Sequence, residues 1–214
     1  MAHKRTQTAL RTQFEAVILA GGESTRMGRE KSVLRLGGCT LLSRIRKVCQ
    51  RISMPDRVLR HDLIPHCGPL SGVFTALTTS AADGVLFLSC DMPFVTPQLL
   101  ERIVRRARST RRAVFSEDAE GVGFPFLLWR RQLAAVEDQI ASGRRALQLL
   151  AGRLRAGRLR SRHQEAWERF NVNTPEDMKE SRRLWKIHAD PKDRGASSRE
   201  ATRPTTVSQS RARS

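Results

Sequence analysis

Residues 18–32 read Ile-Leu-Ala-Gly-Gly-Glu-Ser-Thr-Arg-Met-Gly-Arg-Glu-Lys-Ser, a set of residue types suited to holding a polyphosphate. Gly21, Gly22 and Gly28 allow backbone N–H groups to approach an anion closely, and Arg26 and Lys31 bring full positive charges to the same loop. Spacing excludes two familiar phosphate loops. The pattern G-x-x-x-x-G-K-[ST] fails because Arg29 follows Gly28 and Lys31-Ser32 arrives too late. Gly21-Gly22-x5-Gly28 does not fit the dinucleotide pattern G-x-G-x-x-G. What remains is a cradle for a nucleoside triphosphate, or a strand-turn-helix whose glycines only shape the turn.

Three other stretches carry chemistry. Cys90-Asp91-Met92-Pro93-Phe94 follows the apolar run 85–88, which places Asp91 outside the carboxyl end of a strand, where α/β sheets bind ligands. A carboxylate there suits Mg²⁺ on a nucleotide's phosphates, since Mg²⁺ takes oxygen ligands and few of them from protein. Thr96 and Pro97 are a sufficient N-cap and first turn for the next helix, so Asp91 is not needed to cap it. Gly68-Pro69-Leu70-Ser71-Gly72 opens a helix whose N–H groups and dipole would favour an anion. In Phe170-Asn171-Val172-Asn173-Thr174-Pro175-Glu176-Asp177, capping by Thr174 explains the last four residues. It leaves Asn171 and Asn173 as polar side chains at the end of an expected strand.

These groups need a frame. Apolar runs and helical periodicity predict strands at 14–20, 57–61, 84–89, 113–116, 123–128 and 167–172. Helices are expected at 40–52, 68–80, 97–109, 131–141, 144–155 and 175–186, with Arg144 to Arg160 read as an amphipathic arginine-rich face. Alternating strands and helices specify an α/β chain with a mainly parallel sheet flanked by helices. The 214 residues, 39% hydrophobic, suffice for a single domain.

Together the four stretches resemble the molybdenum cofactor guanylyltransferases, bacterial enzymes that attach GMP to molybdopterin. The matching residues are Leu19-Ala20-Gly21-Gly22-x3-Arg26-Met27-Gly28-x2-Lys31, Gly68-Pro69-Leu70-x-Gly72, Cys90-Asp91-Met92-Pro93-Phe94 and Asn171-Val172-Asn173-Thr174-Pro175-Glu176-Asp177. Phe124-Pro125-Phe126-Leu127 adds a Pro-centred strand that the family also has. The resemblance spans about residues 14 to 178. It implies a Rossmann-like nucleotidyltransferase fold and a reaction in which molybdopterin's terminal phosphate attacks the α-phosphorus of GTP, releasing pyrophosphate. It implies that Leu19, Ala20, Gly21 and Gly22 hold the nucleotide, that Arg26 and Lys31 contact its phosphates, that Asp91 binds Mg²⁺, and that Asn171 and Asn173 lie toward molybdopterin. Molybdoenzymes or their chaperones would then receive the product.

The chain departs from the family between the helix at 40–52 and Gly68. The family has room there for a further strand and helix, and that strand supplies a nucleotide-binding Asn with no counterpart here. Asp62 is the candidate for an Asp that the family carries before its Gly-Pro-Leu, and Glu30 replaces an Asp. A shortened nucleoside side leaves three expectations open: a guanylyltransferase, a relative using another base such as a molybdopterin cytidylyltransferase, or a non-catalytic relative.

The net charge of +18 divides into +3 over residues 1–13, +9 over 14–178 and +6 over 179–214. The first segment is expected to be a basic arm and the last a helix end followed by a disordered basic tail. No aromatic residue interleaves with a basic run, which argues against a nucleic-acid surface. Arg144 or Arg145 is instead a candidate to reach an anionic substrate phosphate. Cys39, Cys49, Cys67 and Cys90 show no C-x-x-C spacing. With no secretory or 18-residue apolar run, they are expected to be reduced thiols of a cytoplasmic, non-membrane protein. His61, His66 and Cys67 are read as loop residues near a pocket rather than metal ligands.

Overall fold

The computed structural model describes residues 13–20, 33–160 and 163–188. The phosphate-loop residues Gly21, Gly22, Arg26 and Lys31 and the expected terminal arm and tail lie outside them. Strand β1 (Phe14–Leu19) is followed by a small hairpin, β2 (Arg35–Leu36) and β3 (Cys39–Thr40), then α1 (Leu41–Arg51), β4 (Asp56–Leu59), α2 (Pro69–Thr79) and β5 (Gly84–Ser89). Next come α3 (Pro97–Thr110), β6 (Val114–Asp118), β7 (Gly121–Trp129), α4 (Leu133–Ala141), α5 (Leu147–Arg153), β8 (Gly157–Arg160) and α6 (Pro175–His188).

The strands form one six-stranded sheet in the order β4-β1-β5-β7-β6-β8. β1 pairs in parallel with β4 and β5, and β6 with β8, while β7 runs antiparallel to both of its neighbours. β1 and β5 are apolar throughout their middles because helices cover both faces of the sheet. On one face, Ala16, Ile18, Leu86 and Leu88 meet Ile45 and Cys49 of α1 and Leu99, Leu100 and Ile103 of α3. On the other, Val17, Val85 and Phe87 meet Leu70, Val73 and Leu77 of α2, Val136 of α4 and Leu150 of α5. A smaller cluster joins Leu36, Leu41, Phe94, Val172 and Met178.

Local chemistry sets the helix starts. Thr40 Oγ1 accepts from the Ser43 amide (3.1 Å), and Thr96 Oγ1 accepts from the Leu99 amide (3.2 Å) with Pro97 at the first helical position. At α6, Thr174 Oγ1 accepts from the Asp177 amide while Asp177 Oδ2 accepts from the Asn173 and Thr174 amides, a reciprocal cap.

The fold is the expected α/β sheet, with three local differences. Residues 167–172 are not a strand. Residues 163–169 coil into a 3-10 turn and 170–173 belong to no strand or helix. Their apolar residues Trp167, Phe170 and Val172 pack on Phe94 instead. The expected helical face from Arg144 to Arg160 is broken. α5 stops at Arg153, Arg155 takes a positive φ of 45°, and the chain turns into β8. There Arg158 and Arg160 hold Glu117 of β6 at 2.6 and 2.8 Å. The β2–β3 hairpin was not anticipated.

Candidate active site

The carboxyl ends of β1, β4 and β5 lie side by side. The Ala20 amide donates to the Leu59 carbonyl (2.9 Å) and the Cys90 amide to the Leu19 carbonyl (3.1 Å). Both of those polar groups serve the sheet. Beyond these ends opens a cleft of about 610 Å³, a volume typical of small-molecule sites. Leu19, Leu59 and Ser89 form its floor, and the start of α2 forms one wall. Phe124 and Arg145 close the far side.

The α2 wall is built for close approach. Gly68, the N-cap, sits at φ 60°, ψ −144°, a conformation that glycine adopts without steric cost. Ser71 Oγ accepts from the Cys67 amide (3.0 Å), and Thr75 Oγ1 accepts from the Leu63 amide (2.8 Å). These two side chains pin the short 60–68 connection to the helix. A Cβ on Gly72 would stand 3.0 Å from both δ-carbons of Leu19 and 3.5 Å from Asp62 Oδ1. The glycine is therefore what lets Asp62 and the end of β1 reach the same wall. Desolvation at that wall pushes the Asp62 carboxyl up from its ordinary range, partly opposed by His61.

Asp91 stands immediately beyond β5, half-buried. Ser89, which lines the cleft, donates its hydroxyl to Asp91 Oδ1 at 2.5 Å, fixing the carboxylate's direction. Such an anchored carboxylate at a strand end fits a Mg²⁺ that keeps most of its ligands as water and phosphate oxygens. No cluster of three or more His, Cys, Asp or Glu side chains able to hold a metal occurs among the described residues. His61, His66 and Cys67 therefore form no such site by themselves, though His66 does line the cleft.

The Val172 amide donates to the Asp91 carbonyl (2.8 Å). This bond holds the 170–173 segment beside the loop after β5, with Val172 buried and Asn171 and Asn173 exposed on either side of it. Arg145 reaches the cleft from the α4–α5 connection, which the buried Gln139 pins through its Nε2 to the Ala146 carbonyl (3.0 Å). Arg144 does not line the cleft.

Of the predicted site residues, Leu19 and Asp62 line the cleft, Ala20 and Asp91 border it, and Asn171 and Asn173 flank the residue bonded to Asp91. Sequence reasoning did not name Ser89 as a site residue, and it carried Ser71 and Phe124 only as members of their motifs. Ser89 was signalled only by its place two residues before Asp91. Phe124 precedes Pro125 across a cis peptide bond.

Residues 16–165 match the MobA-like NTP transferase domain. A molybdenum cofactor guanylyltransferase of Syntrophotalea carbinolica is 32% identical over 194 residues, covering 78% of this chain and 90% of that protein. Among solved structures, molybdopterin-guanine dinucleotide biosynthesis protein A from Archaeoglobus fulgidus superposes with a TM-score of 0.66 at 21% identity, covering 81% of this chain and all of the other. Rv0371c from Mycobacterium tuberculosis, solved as a complex with manganese, gives a TM-score of 0.56 at 19% identity over 80% of this chain and 98% of its own. The last two likenesses concern the fold. The domain match and the similarity over most of the chain establish that it belongs to the MobA-like NTP transferase family and is a nucleotidyltransferase.

Proposed function

We propose that the protein transfers GMP from GTP to molybdopterin and releases pyrophosphate. The observation that carries this reading is the meeting of the distant motifs at the carboxyl ends of β1, β4 and β5. Asp62 and the start of α2 wall the cleft, Ser89 in its floor donates to Asp91, and the Val172 amide between Asn171 and Asn173 donates to the Asp91 carbonyl.

In this reading the nucleotide lies over the ends of β1 and β5, with its phosphates toward Arg26 and Lys31. Asp91 would hold Mg²⁺, which when bound neutralises phosphate charge and steadies the leaving pyrophosphate. The manganese in the mycobacterial fold relative is in keeping with a divalent ion. A terminal phosphate oxygen of molybdopterin attacks the α-phosphorus, a new P–O bond forms, and the bond to the β-phosphate oxygen breaks. Positioning dominates such chemistry. Arg145 orients the acceptor's phosphate, Asn171 and Asn173 contact its polar edge, and no nucleophilic side chain is needed. The catalytic unit is residues 14–178, acting in the cytoplasm and passing its product to molybdoenzymes or their chaperones.

A second base is the alternative, favoured by the connection between Leu59 and Pro69, which carries no strand or helix. Calorimetry with Mg²⁺ and GTP, CTP or ATP decides. GTP preference, with Asp91→Ala folded but inactive in GMP transfer to molybdopterin, supports the proposal. CTP preference replaces the base, and a fully active Asp91→Ala variant refutes the metal role.

A further inference from the structure

The strand that closes the far side of the cleft is irregular at the residue that does so. Between β6 and β7 the register passes from Phe115 opposite Phe126 to Ser116 opposite Gly123, and the β5–β7 ladder ends at Phe87 opposite Phe126. Phe124 and Pro125 are therefore paired with neither neighbouring strand. A bulge beside a site re-aims a side chain, and Phe124 is the residue that lines the cleft. The same bulge leaves the carbonyls of both residues to find partners outside the ladders.

Two buried side chains supply those partners. Ser116 Oγ donates to the Pro125 carbonyl (2.7 Å), and Arg169 Nε donates to the Phe124 carbonyl (3.3 Å). Arg169 makes further contacts with the same hairpin. Its Nη1 stands 2.8 Å from Asp118 Oδ2 at the end of β6, an ion pair without the direction of a hydrogen bond. Asp118 Oδ1 in turn accepts from the Glu120 amide (2.9 Å) in the turn between β6 and β7. The guanidinium also lies against Gly123, where a Cβ would stand 3.2 Å from Nη2. Burial disfavours its charge, and the carboxylates of Asp118, Glu120 and Glu117 favour it. One planar fork thus reaches the hairpin's turn and its bulge together.

Arg169 leads directly into residues 170–173, whose Val172 amide bonds to Asp91. One short stretch therefore grips Phe124 with a side chain and Asp91 with its backbone. Asn171 sits between those two grips and Asn173 just after them. We propose that Arg169 is a positioning residue for the acceptor half of the transfer, tying the Phe124 wall of the cleft to the Asn171–Asn173 segment. This rests on the reading that GMP passes from GTP to molybdopterin.

Arg169→Met removes the charge and the fork, while Arg169→Lys keeps a charge beside Asp118 without the fork. Circular dichroism checks that each variant of the full chain is folded, and KM is measured for molybdopterin and for GTP beside the wild type. The expected result is a KM for molybdopterin raised roughly tenfold by Arg169→Met and about threefold by Arg169→Lys, with KM for GTP within about twofold of wild type. A residue serving stability alone would leave both KM values of the folded protein unmoved. That outcome, or an equal rise in both, overturns the positioning role, and Arg169→Lys decides by itself if Arg169→Met does not fold. A wild-type chain that transfers no GMP to molybdopterin overturns the parent reading and the role with it.

Discussion

The amide of Val172 donates to the carbonyl of Asp91 at 2.8 Å, joining the segment before α6 to the loop after β5. Val172 is fully buried among Leu36, Leu41, Phe94 and Met178. One residue thus seals a core cluster and sets the spacing between Asp91 and the two asparagines.

Truncating that side chain should register in both roles. Val172→Ala is expected to cost about 2 kcal/mol of stability from lost burial and the cavity left behind. Turnover should fall more than the folded fraction does, as seen by urea unfolding and kcat measured on the same preparation.

In the proposed reading, Ser89 would act on the metal through Asp91. With Ser89→Ala the Asp91 carboxylate loses the hydroxyl that fixes its direction. The expected outcome is roughly 10-fold weaker dependence on divalent ion, read from the Mg²⁺ concentration at half-maximal rate, with unfolding little changed.

Arg145 is exposed and lines the cleft without an ion-pair partner among the described residues. Arg145→Ala should raise KM for the phosphorylated acceptor about 10-fold or more, the size of one charge-assisted contact. KM for the triphosphate should stay near wild type. An equal rise in both would place Arg145 on the nucleotide instead.

At Gly72 the wall has no room to spare. Gly72→Ala sets a methyl group 3.0 Å from the Leu19 δ-carbons, so Leu19 must move. A loss of about 1–3 kcal/mol, accompanied by weaker nucleotide binding in calorimetry, is expected.

Glu168 gives the fold a pH signature. It is buried, its Oε1 accepts from Thr96, and its Oε2 has no hydrogen-bond partner among the described residues. Burial raises its carboxyl above the ordinary value of 4.5, against the Thr96 hydrogen bond, with Glu165 adding to the rise and Arg102 opposing it. A carboxyl raised in the folded state stabilises while protonated, below about pH 4.5. It loses that contribution as pH climbs through the folded value. Glu168→Gln should therefore be more stable than wild type at neutral pH by about 1 kcal/mol, with the gap closing toward pH 4 in unfolding curves.

The sheet was legible wherever burial on both faces left a continuous apolar run, as in β1 and β5. It was obscured where tertiary contacts overrode local pattern. Gly157-Arg-Leu-Arg160 has the period-2 alternation of an edge strand, yet the surrounding arginines and leucines also fit a helix, and only Glu117 on the neighbouring strand decides between them. The run from Trp167 to Val172 is apolar enough for a strand, but its partner is the Phe94 cluster and not a backbone ladder. Asp91 and Gly72 stand in local motifs, whereas Asp62 was reached only through the family resemblance and Arg145 only as one of two arginines able to reach a phosphate. Ser89 and Phe124 come to the cleft from separate strands, and no spacing in the chain encodes that meeting.

The edge strand β8 has a consequence beyond holding Glu117. An unpaired sheet margin is a template for strand addition by another chain. Here the last strand is four residues long and carries two outward guanidiniums, with 52% and 84% of the Arg158 and Arg160 side chains exposed. A second copy could extend the sheet only by desolvating both or by tearing them from Glu117. Arginines that stabilise the fold from within thereby guard it against edge-to-edge aggregation.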